Sequence, residues 1–439
     1  MASVFIPDSI LWKAAQGAFG GIFNFELQGA DILSKVVLFC IGMASFSALF
    51  VTRGILKDSE DKFNFINIIL LAIAGMNGVA LARDIFSLYI FLEITAVSSF
   101  ILIAFNKDVL GLEGAFKYIL LSGVATVLMI AGIALLILAA GSTNFALIHY
   151  ALANHNKDLL ISLAIGLFIV ALFIKSGLMP FHGWVPDAYA SAPAPASVIL
   201  AGIITKVAGV YVLIRILVSV VGFSPQIRSI LLFAGALSAI LGAIAALTQS
   251  DFKRMLSYSS ISQVGYIILG VGSGSILGVA GAALHIFNHA AFKSLLFVNS
   301  AAVESQLGSR DMDKMGGLAK QMPITGWTSV IGSLSCAGIP PLAGFWSKLI
   351  IVIALWLAGY KTYAVIAVLG SVLTLAYFLS LQRRVFFGKL NEEFKNIKEA
   401  GFNLTFPAVM LAALIVVLGI LTPFILSKFI LSFSSVLGG

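Results

Sequence analysis

The sequence predicts an all-α polytopic membrane protein of about twelve transmembrane helices, and three observations carry that prediction. Of 439 residues, 60% are hydrophobic and 10% charged, against about 45–50% and about 25% in soluble domains. Mean hydropathy is +1.06, so apolar residues outnumber interior positions and much of the surface must face lipid. These residues also fall into separate runs of about 20, the length of helix that crosses a bilayer core.

In chain order the runs are 31–52, 64–82, 85–105, 115–140, 159–190, 195–221, 228–249, 256–273, 275–302, 324–358, 362–385 and 404–430. The first four are single runs of spanning length, the third with Glu93 and the fourth with Lys117 inside it. The fifth is too long and carries Pro180, Gly183 and Pro186 after an apolar first half. The sixth to ninth are again single spans, the sixth and ninth with ionisable residues inside them. The tenth is too long and holds Gly338, Pro340, Pro341 and Gly344 at its middle. Proline removes a backbone donor and clashes with the preceding turn, so the fifth and tenth spans are expected to break at membrane depth, with Pro180, Gly338, Pro340 and Pro341 as hinges. Such breaks are tolerated where they line protein or a wet cavity. The last two runs close the bundle. Short loops and 41 glycines predict one compact membrane domain over 1–439 with close helix contacts, beginning with an extramembrane or interfacial segment over 1–30.

The formal charge of +8 in this setting is a Lys/Arg excess in loops rather than a nucleic-acid footprint. Loops after the odd-numbered spans hold fourteen basic residues: Arg53, Lys57, Lys62, Lys107, Lys253, Arg254, Arg310, Lys314, Lys320, Arg383, Arg384, Lys389, Lys395 and Lys398. The side of the termini holds eight: Lys13, Lys35, Arg83, Lys157, Arg215, Arg228, Lys361 and Lys428. The larger set is expected in the cytoplasm and both termini outside. The start, MASVFIPDSILWKAAQ, has no secretory-signal pattern, so insertion is expected to use internal helices. Cys40 and Cys336 form neither a disulfide framework nor a metal motif. With no GxGxxG, P-loop, CxxC cluster or nucleophile elbow in the chain, no cofactor and no covalent chemistry are expected.

Ionisable residues far from span ends cost roughly 2.5–3.5 kcal/mol each at a helix centre, so each needs a reason. They are Glu93, Lys175, Lys206, His285, His289, Lys293 and Lys348. Glu93 either ties two helices together or pairs with a buried lysine as a switch. Lys175 lies one turn before Pro180, where freed carbonyls and water can hold an ammonium that releases and recaptures a proton; snorkelling is the alternative. Lys206 is too deep to snorkel easily. Lys348, seven residues past Pro341, repeats the pairing of lysine with broken helix, and two such helices in corresponding halves mark inverted-repeat transporters. His285, His289 and Lys293 share one helix face, suited to proton transfer or to core hydrogen bonding; zinc lacks further ligands there. Lys117 either snorkels or conducts. Asp187, His182 and Trp184 follow the first break and are placed in a re-entrant or mouth segment, and Lys253 and Arg254 are read mostly as a topology anchor.

Four segments, FIKSGLMPFHGWVPDAYASAPAPASVILAGIITKVAGVYVL (173–213), SDFKRMLSYSSISQVGY (250–266), LHIFNHAAFKSLLF (284–297) and GIPPLAGFWSKL (338–349), resemble the antiporter-like proton-translocating membrane subunits. That family is found in respiratory complex I, in membrane-bound hydrogenases and related group 4 complexes, and in Mrp-type cation/proton antiporters. The resemblance covers roughly residues 25–430. It implies two inverted five-helix repeats, each with one broken helix, here expected as half-channels over 64–221 and 228–385. It also implies a midplane proton path in which Glu93 and Lys175 form the first pair, followed by Lys206, His285, His289, Lys293 and Lys348. Some relatives have glutamate at the last position. Twelve spans against the family's usual number of about fourteen imply that the first two helices are absent, and the lack of a lateral helix after the last span argues against the distal member. The implied function is a non-catalytic ion-translocating subunit of a redox-driven NADH dehydrogenase-like or hydrogenase-like complex, in the cell membrane beside sibling and small membrane subunits. A component of an Mrp-type Na⁺/H⁺ antiporter is the alternative.

Overall fold

The computed structural model describes residues 27, 30–154 and 159–433. The expected segment 1–30, except Leu27 and Ala30, lies outside the described residues, as do Lys13 and Lys157. All twelve expected spans form as helices, with ends shifted by a few residues. They are α1 (Ile32–Ile55), α2 (Ser59–Leu81), α3 (Ile85–Ile103), α4 (Val109–Ala140), a short α5 (Phe145–Asn154), α6 (Leu159–Ser176), α7 (Trp184–Ser191) and α8 (Ala194–Val221) in the first part. The chain continues with α9 (Pro225–Leu247), α10 (Phe252–Gly272), α11 (Ile276–Leu307), α12 (Pro323–Ala337), α13 (Ala343–Leu357), α14 (Lys361–Phe387) and α15 (Phe402–Ser432). Nine of these are long and apolar enough to cross a membrane. α10 and α11 have the length but are diluted by buried Ser, Gln, Asn, His and Lys side chains, and α12 with α13 is one span in two pieces. Among the described residues there is no strand, only three isolated bridges.

Helix starts follow from capping chemistry. Asp31, Asp58, Asp84, Asp108 and Asp251, with Ser224 and Ser275, each accept a hydrogen bond from a backbone N–H of the first turn that follows them, satisfying donors that lipid cannot.

The two repeats are visible in backbone detail. α2, α3 and α4 have 23, 19 and 32 residues, and α9, α10 and α11 have 23, 21 and 32. Both 32-residue helices end on a left-handed glycine, Gly141 or Gly308, and the chain then returns to bridge the cap of the preceding helix, Asp84 to Asn144 and Asp251 to Asp311. The counterparts stand 167 residues apart in each case (251 − 84, 311 − 144, 308 − 141). Close packing obeys the same offset. A side chain on Gly75 would collide with Thr95, and one on Gly242 with Ser262; only residues without a Cβ let these helices meet so closely. Each repeat crosses the membrane five times, and an odd number of crossings starts the second repeat on the opposite face, which inverts it.

Each repeat contains one break, and the two breaks are built alike. α6 ends at Gly177 (φ +65°) and α12 at Gly338 (φ +85°), conformations that glycine adopts without a Cβ penalty. In both, the glycine N–H bonds back to the helix at 3.1 and 3.0 Å (Ile174 O, Ser335 O), and the next N–H reaches Phe173 O or Leu334 O at 3.1 and 3.0 Å. This Schellman-type ending satisfies terminal carbonyls. The Met179–Pro180 and Pro340–Pro341 bonds that follow are cis. Pro180, Gly338, Pro340 and Pro341 lie along the two breaks, and Gly177 turns the first one.

α8 and α11 form the centre. The spanning window of α8 is wholly buried, and part of it winds as π-helix over Leu200–Ile204, Lys206–Tyr211 and Leu217–Val221. The sequence does not predict this irregularity. π-turns concentrate at functional positions.

Candidate functional site

At the first break α6 delivers Lys175 into the bundle with only 3% of its side chain exposed. Its ammonium donates to Glu93 Oε1 of α3 at 3.1 Å and lies 3.4 Å from Ser122 Oγ of α4. Thr126, one turn further along α4, donates to the same carboxylate oxygen at 2.8 Å. Glu93 is 28% exposed, so the pair spans from the rim of the bundle to its interior. Of the expected site residues, these two are the ones in direct contact, across 82 positions of sequence.

Lys206 lies on the π-helical part of α8. Its ammonium bonds Ala201 O at 2.8 Å, five residues back as π geometry allows, and Thr205 Oγ1 at 3.0 Å. Tyr189 of α7 completes the cage, with its hydroxyl 2.6 Å from Thr205 Oγ1 and its ring below the lysine. On α11 Lys293 donates to Ser259 Oγ at 2.6 Å and Leu256 O at 3.1 Å, both on α10. His289, one turn earlier, is fully buried, and neither ring nitrogen has a hydrogen-bond partner in normal geometry. Its nearest ionisable neighbours are Lys206, Lys293 and His285.

Towards the second break, His285 Nδ1 lies 2.8 Å from Ser347 Oγ on α13, while Asn288 holds Ser347 and Ala343 O at 3.0 and 2.8 Å. Lys348 projects from α13 back towards the end of α12, 3.5 Å from Ala337 O, with its ammonium 4.3 Å from the centroid of the Tyr266 ring. Lys348 is next to both His285 and Lys293 electrostatically. The seven residues thus form two groups. One is the Glu93–Lys175 pair. The other is the set Lys206, His289, Lys293, His285 and Lys348, each member buried and none hydrogen-bonded to another. The groups meet where Gly209 of α8 lies against the backbone of Ser176.

Several polar partnerships depart from the sequence reading. Lys253 is no topology anchor: it is 2% exposed, bonds Glu304 Oε2 at 2.9 Å and reaches Ala192 O at 3.3 Å. Arg215 is likewise buried, clamped on Asp31 at 2.6 and 2.9 Å with Tyr211 and Ser34 around it. Burial alone would raise the Asp31 carboxyl; hydrogen bonds and charge from Arg215 overcome this and hold the group well below the ordinary carboxylate range. Removing one anchor from each side leaves thirteen basic residues against seven, so the charge bias stands. Lys117 is 41% exposed and pairs with Glu113 at 2.6 Å and Asp187 at 2.7 Å. Asp187 also accepts from Arg254 at 2.6 Å. Trp184, on the short α7 after the break, is buried, stacked on Tyr118 at 4.2 Å, with Nε1 donating to Ile174 O at 3.1 Å. A hint of these pairings was present: Lys253 and Glu304 fall at the starts and ends of spans, where hydropathy reads them as loop charge.

Lys253→Ala is expected to lower thermal stability, at the lower end of the about 3–5 kcal/mol typical of breaking a buried pair, because Glu304 retains Arg310 nearby. A melting curve of the purified complex checks this; an unchanged midpoint counts against a structural ion pair.

A family model described as NADH:quinone oxidoreductase/Mrp antiporter, TM matches residues 82–374. A Na⁺/H⁺ antiporter subunit from Alkalihalophilus pseudofirmus is 32% identical over 393 residues, covering 89% of this chain and 79% of that protein. An NADH-quinone oxidoreductase membrane protein from Desulforudis audaxviator, its N subunit, is 34% identical over 373 residues, covering 83% of this chain and 74% of its own length. Among solved structures, a chain of the archaeal membrane-bound sulfane sulfur reductase superposes with a TM-score of 0.83 at 30% identity, over 92% of this chain and 82% of that one.

Proposed function

The chain belongs to the NADH:quinone oxidoreductase/Mrp antiporter membrane family, and from that premise we propose that it is the proton-translocating, antiporter-like subunit of a multisubunit, redox-driven ion-pumping complex. The observation that carries the reading is Lys175, buried at a helix break and paired with the carboxylate of Glu93. Buried ion pairs are weak stabilisers, since desolvation offsets their attraction. A pair of this kind at membrane depth, beside a helix break, has a transport role as its better explanation.

In this reading Lys175 holds its proton while Glu93 is near. Moving the ammonium away from the carboxylate leaves a lone charge in a dry site, a costly state that is relieved by passing the proton on towards Lys206. His289 then serves as the exchange point between Lys206 and Lys293, because an imidazole with both nitrogens unengaged can take a proton on one and release it from the other. His285 and Lys348 continue the path to the second break. The half-channels are 64–221 and 228–385. The loop bias orients the loops 304–322 and 382–398 to the cytoplasm and both termini outside, with the cell membrane as location. No sequence motif for a cofactor is present, so electron transfer belongs to partner subunits, and sibling antiporter-like and small membrane subunits are its neighbours.

The similarity to a Na⁺/H⁺ antiporter component over 89% of the chain favours a second reading, exchange of Na⁺ for H⁺ in an Mrp-type assembly. Purification of the intact complex under native conditions, followed by identification of its subunits, separates the two. Iron–sulfur subunits with quinone-reducing or hydrogenase-like relatives are expected; recovery of membrane subunits alone, with Na⁺-dependent proton exchange in vesicles, overturns the redox assignment.

A further inference from the structure

α15 packs against the second break, and the groups that hold it there take no part in the path above. Pro423 lies inside this helix. It has no N–H, so the carbonyl of Gly419, four residues earlier, loses its partner within the helix. Trp346 of α13 supplies the missing donor, with Nε1 2.8 Å from Gly419 O, as a neighbouring helix must when proline frees a carbonyl in lipid. Gly419 also lies against the backbone of the break. A Cβ there would stand 2.8 Å from both Ala343 N and Leu342 C, and closer still to Pro341 O, so only a residue without a side chain lets α15 approach this far. Pro423, Gly419 and Trp346 thus make one joint between the last helix and the second break.

Trp346 is the first of three consecutive residues on α13 that each engage a different neighbour. Ser347 meets His285 and Asn288 of α11 at 2.8 and 3.0 Å. Lys348 reaches back to Ala337 O of α12 and over the Tyr266 ring of α10. Successive residues of a helix point about 100° apart, so Lys348 projects about 200° from Trp346, on nearly the opposite side of α13. A helix held on α15 by one of these residues and on α11 by the next is not free to turn about its axis. Axial rotation is what decides whether the Lys348 ammonium lies over Tyr266 or swings off it.

We propose that Trp346 is a positioning residue for proton transfer: by gripping the carbonyl that Pro423 frees in α15, it sets the rotation of α13 and with it the place of Lys348 at the end of the path. The proposal rests on the proton-path reading above. Trp346 carries no proton itself, because an indole N–H donates but has no acceptor site to take a proton back.

The test uses vesicles containing the complete complex, with translocation read by a pH-sensitive dye and normalised to assembled complex, and with melting temperature measured alongside. Trp346→Phe keeps an aromatic ring and removes the N–H. Pro423→Ala returns an N–H to α15, so that Gly419 O is satisfied from within the helix; since a carbonyl accepts two hydrogen bonds, Trp346 keeps its own. Pro423→Ala alone is expected to translocate near the unmodified rate. Trp346→Phe is expected to slow translocation by about tenfold or more, since a misplacement of about 1 Å can cost about 100-fold. The double variant Trp346→Phe with Pro423→Ala is expected to regain any lost melting temperature and assembly yet stay slow, because the restored N–H satisfies α15 without gripping α13. This double variant decides the matter even where Trp346→Phe alone fails to assemble. If it translocates at the unmodified rate, or does not assemble, Trp346 has a structural role only and the positioning role is refuted; normal translocation by Trp346→Phe refutes it as well. Lys348→Ala is expected to translocate at background. Normal translocation by that variant overturns the proton-path reading itself, and the positioning role falls with it.

Discussion

Replacing Lys175 by alanine is expected to reduce proton translocation to background while the complex still assembles. The side chain is buried at the end of α6, and its ammonium touches Glu93 and Ser122. Removing it deletes the only direct ionic contact among the expected path residues and the carrier that would move between the two groups. The fold tolerates the change because the break is built by Gly177 and its backbone hydrogen bonds, which the substitution does not touch. Glu93 retains Thr126 as a donor and is partly exposed, so it is not stranded as a dry lone charge. Glu93→Gln, which keeps the shape and the Thr126 contact but not the charge, is expected to have the same effect on translocation. Dye quenching in vesicles, with complex quantified on native gels, measures both. Undiminished pumping in the two variants together refutes the assigned path.

Gly209→Val is expected to prevent stable assembly. A Cβ at this position would stand 2.5 Å from Ser176 Cα, and closer still to its backbone nitrogen and hydroxyl, whereas non-bonded carbons rest at about 3.5–4.0 Å. The obstacle is backbone, so no side-chain rotation relieves it, and α6 and α8 must move apart beside Lys175. Overpacking in cores costs about 1–3 kcal/mol when side chains can adjust; here the helices must shift, and the cost exceeds that range. The expected result is loss of the complex from membranes on native gels, with Gly209→Ala intermediate. Assembly at the unmodified level and an unchanged melting temperature would show that the contact between the two groups is loose.

Much of this protein was legible in one dimension, and the residues show why. A lipid-facing helix must be apolar along its whole length, so twelve runs could be counted and located to within a few residues. Proline and glycine act on their own local backbone, so both breaks were legible as well, although the turning residue of the first proved to be Gly177. The π-helical winding around Lys206 was not legible: α8 is wholly buried, its residues are apolar on every side, and no periodicity records how the helix is wound. Lys253 and Arg215 were misread for a related reason. Near a span end a charge looks the same to hydropathy whether it projects into water or folds inward onto a carboxylate.

What the amino-acid sequence alone determined, then, is the number of crossings, the places where helices stop, and the short set of charges that hydrocarbon would reject, because each follows from a residue's own transfer energy or backbone preference. Which of those charges meet was decided by tertiary structure. Glu93 finds Lys175, Lys253 finds Glu304, and Trp346 of α13 finds Gly419 of α15, because side-chain contact depends on how each helix is rotated about its axis and against which neighbour it lies. Those two quantities arise from packing the whole bundle and are written in no single segment of the chain.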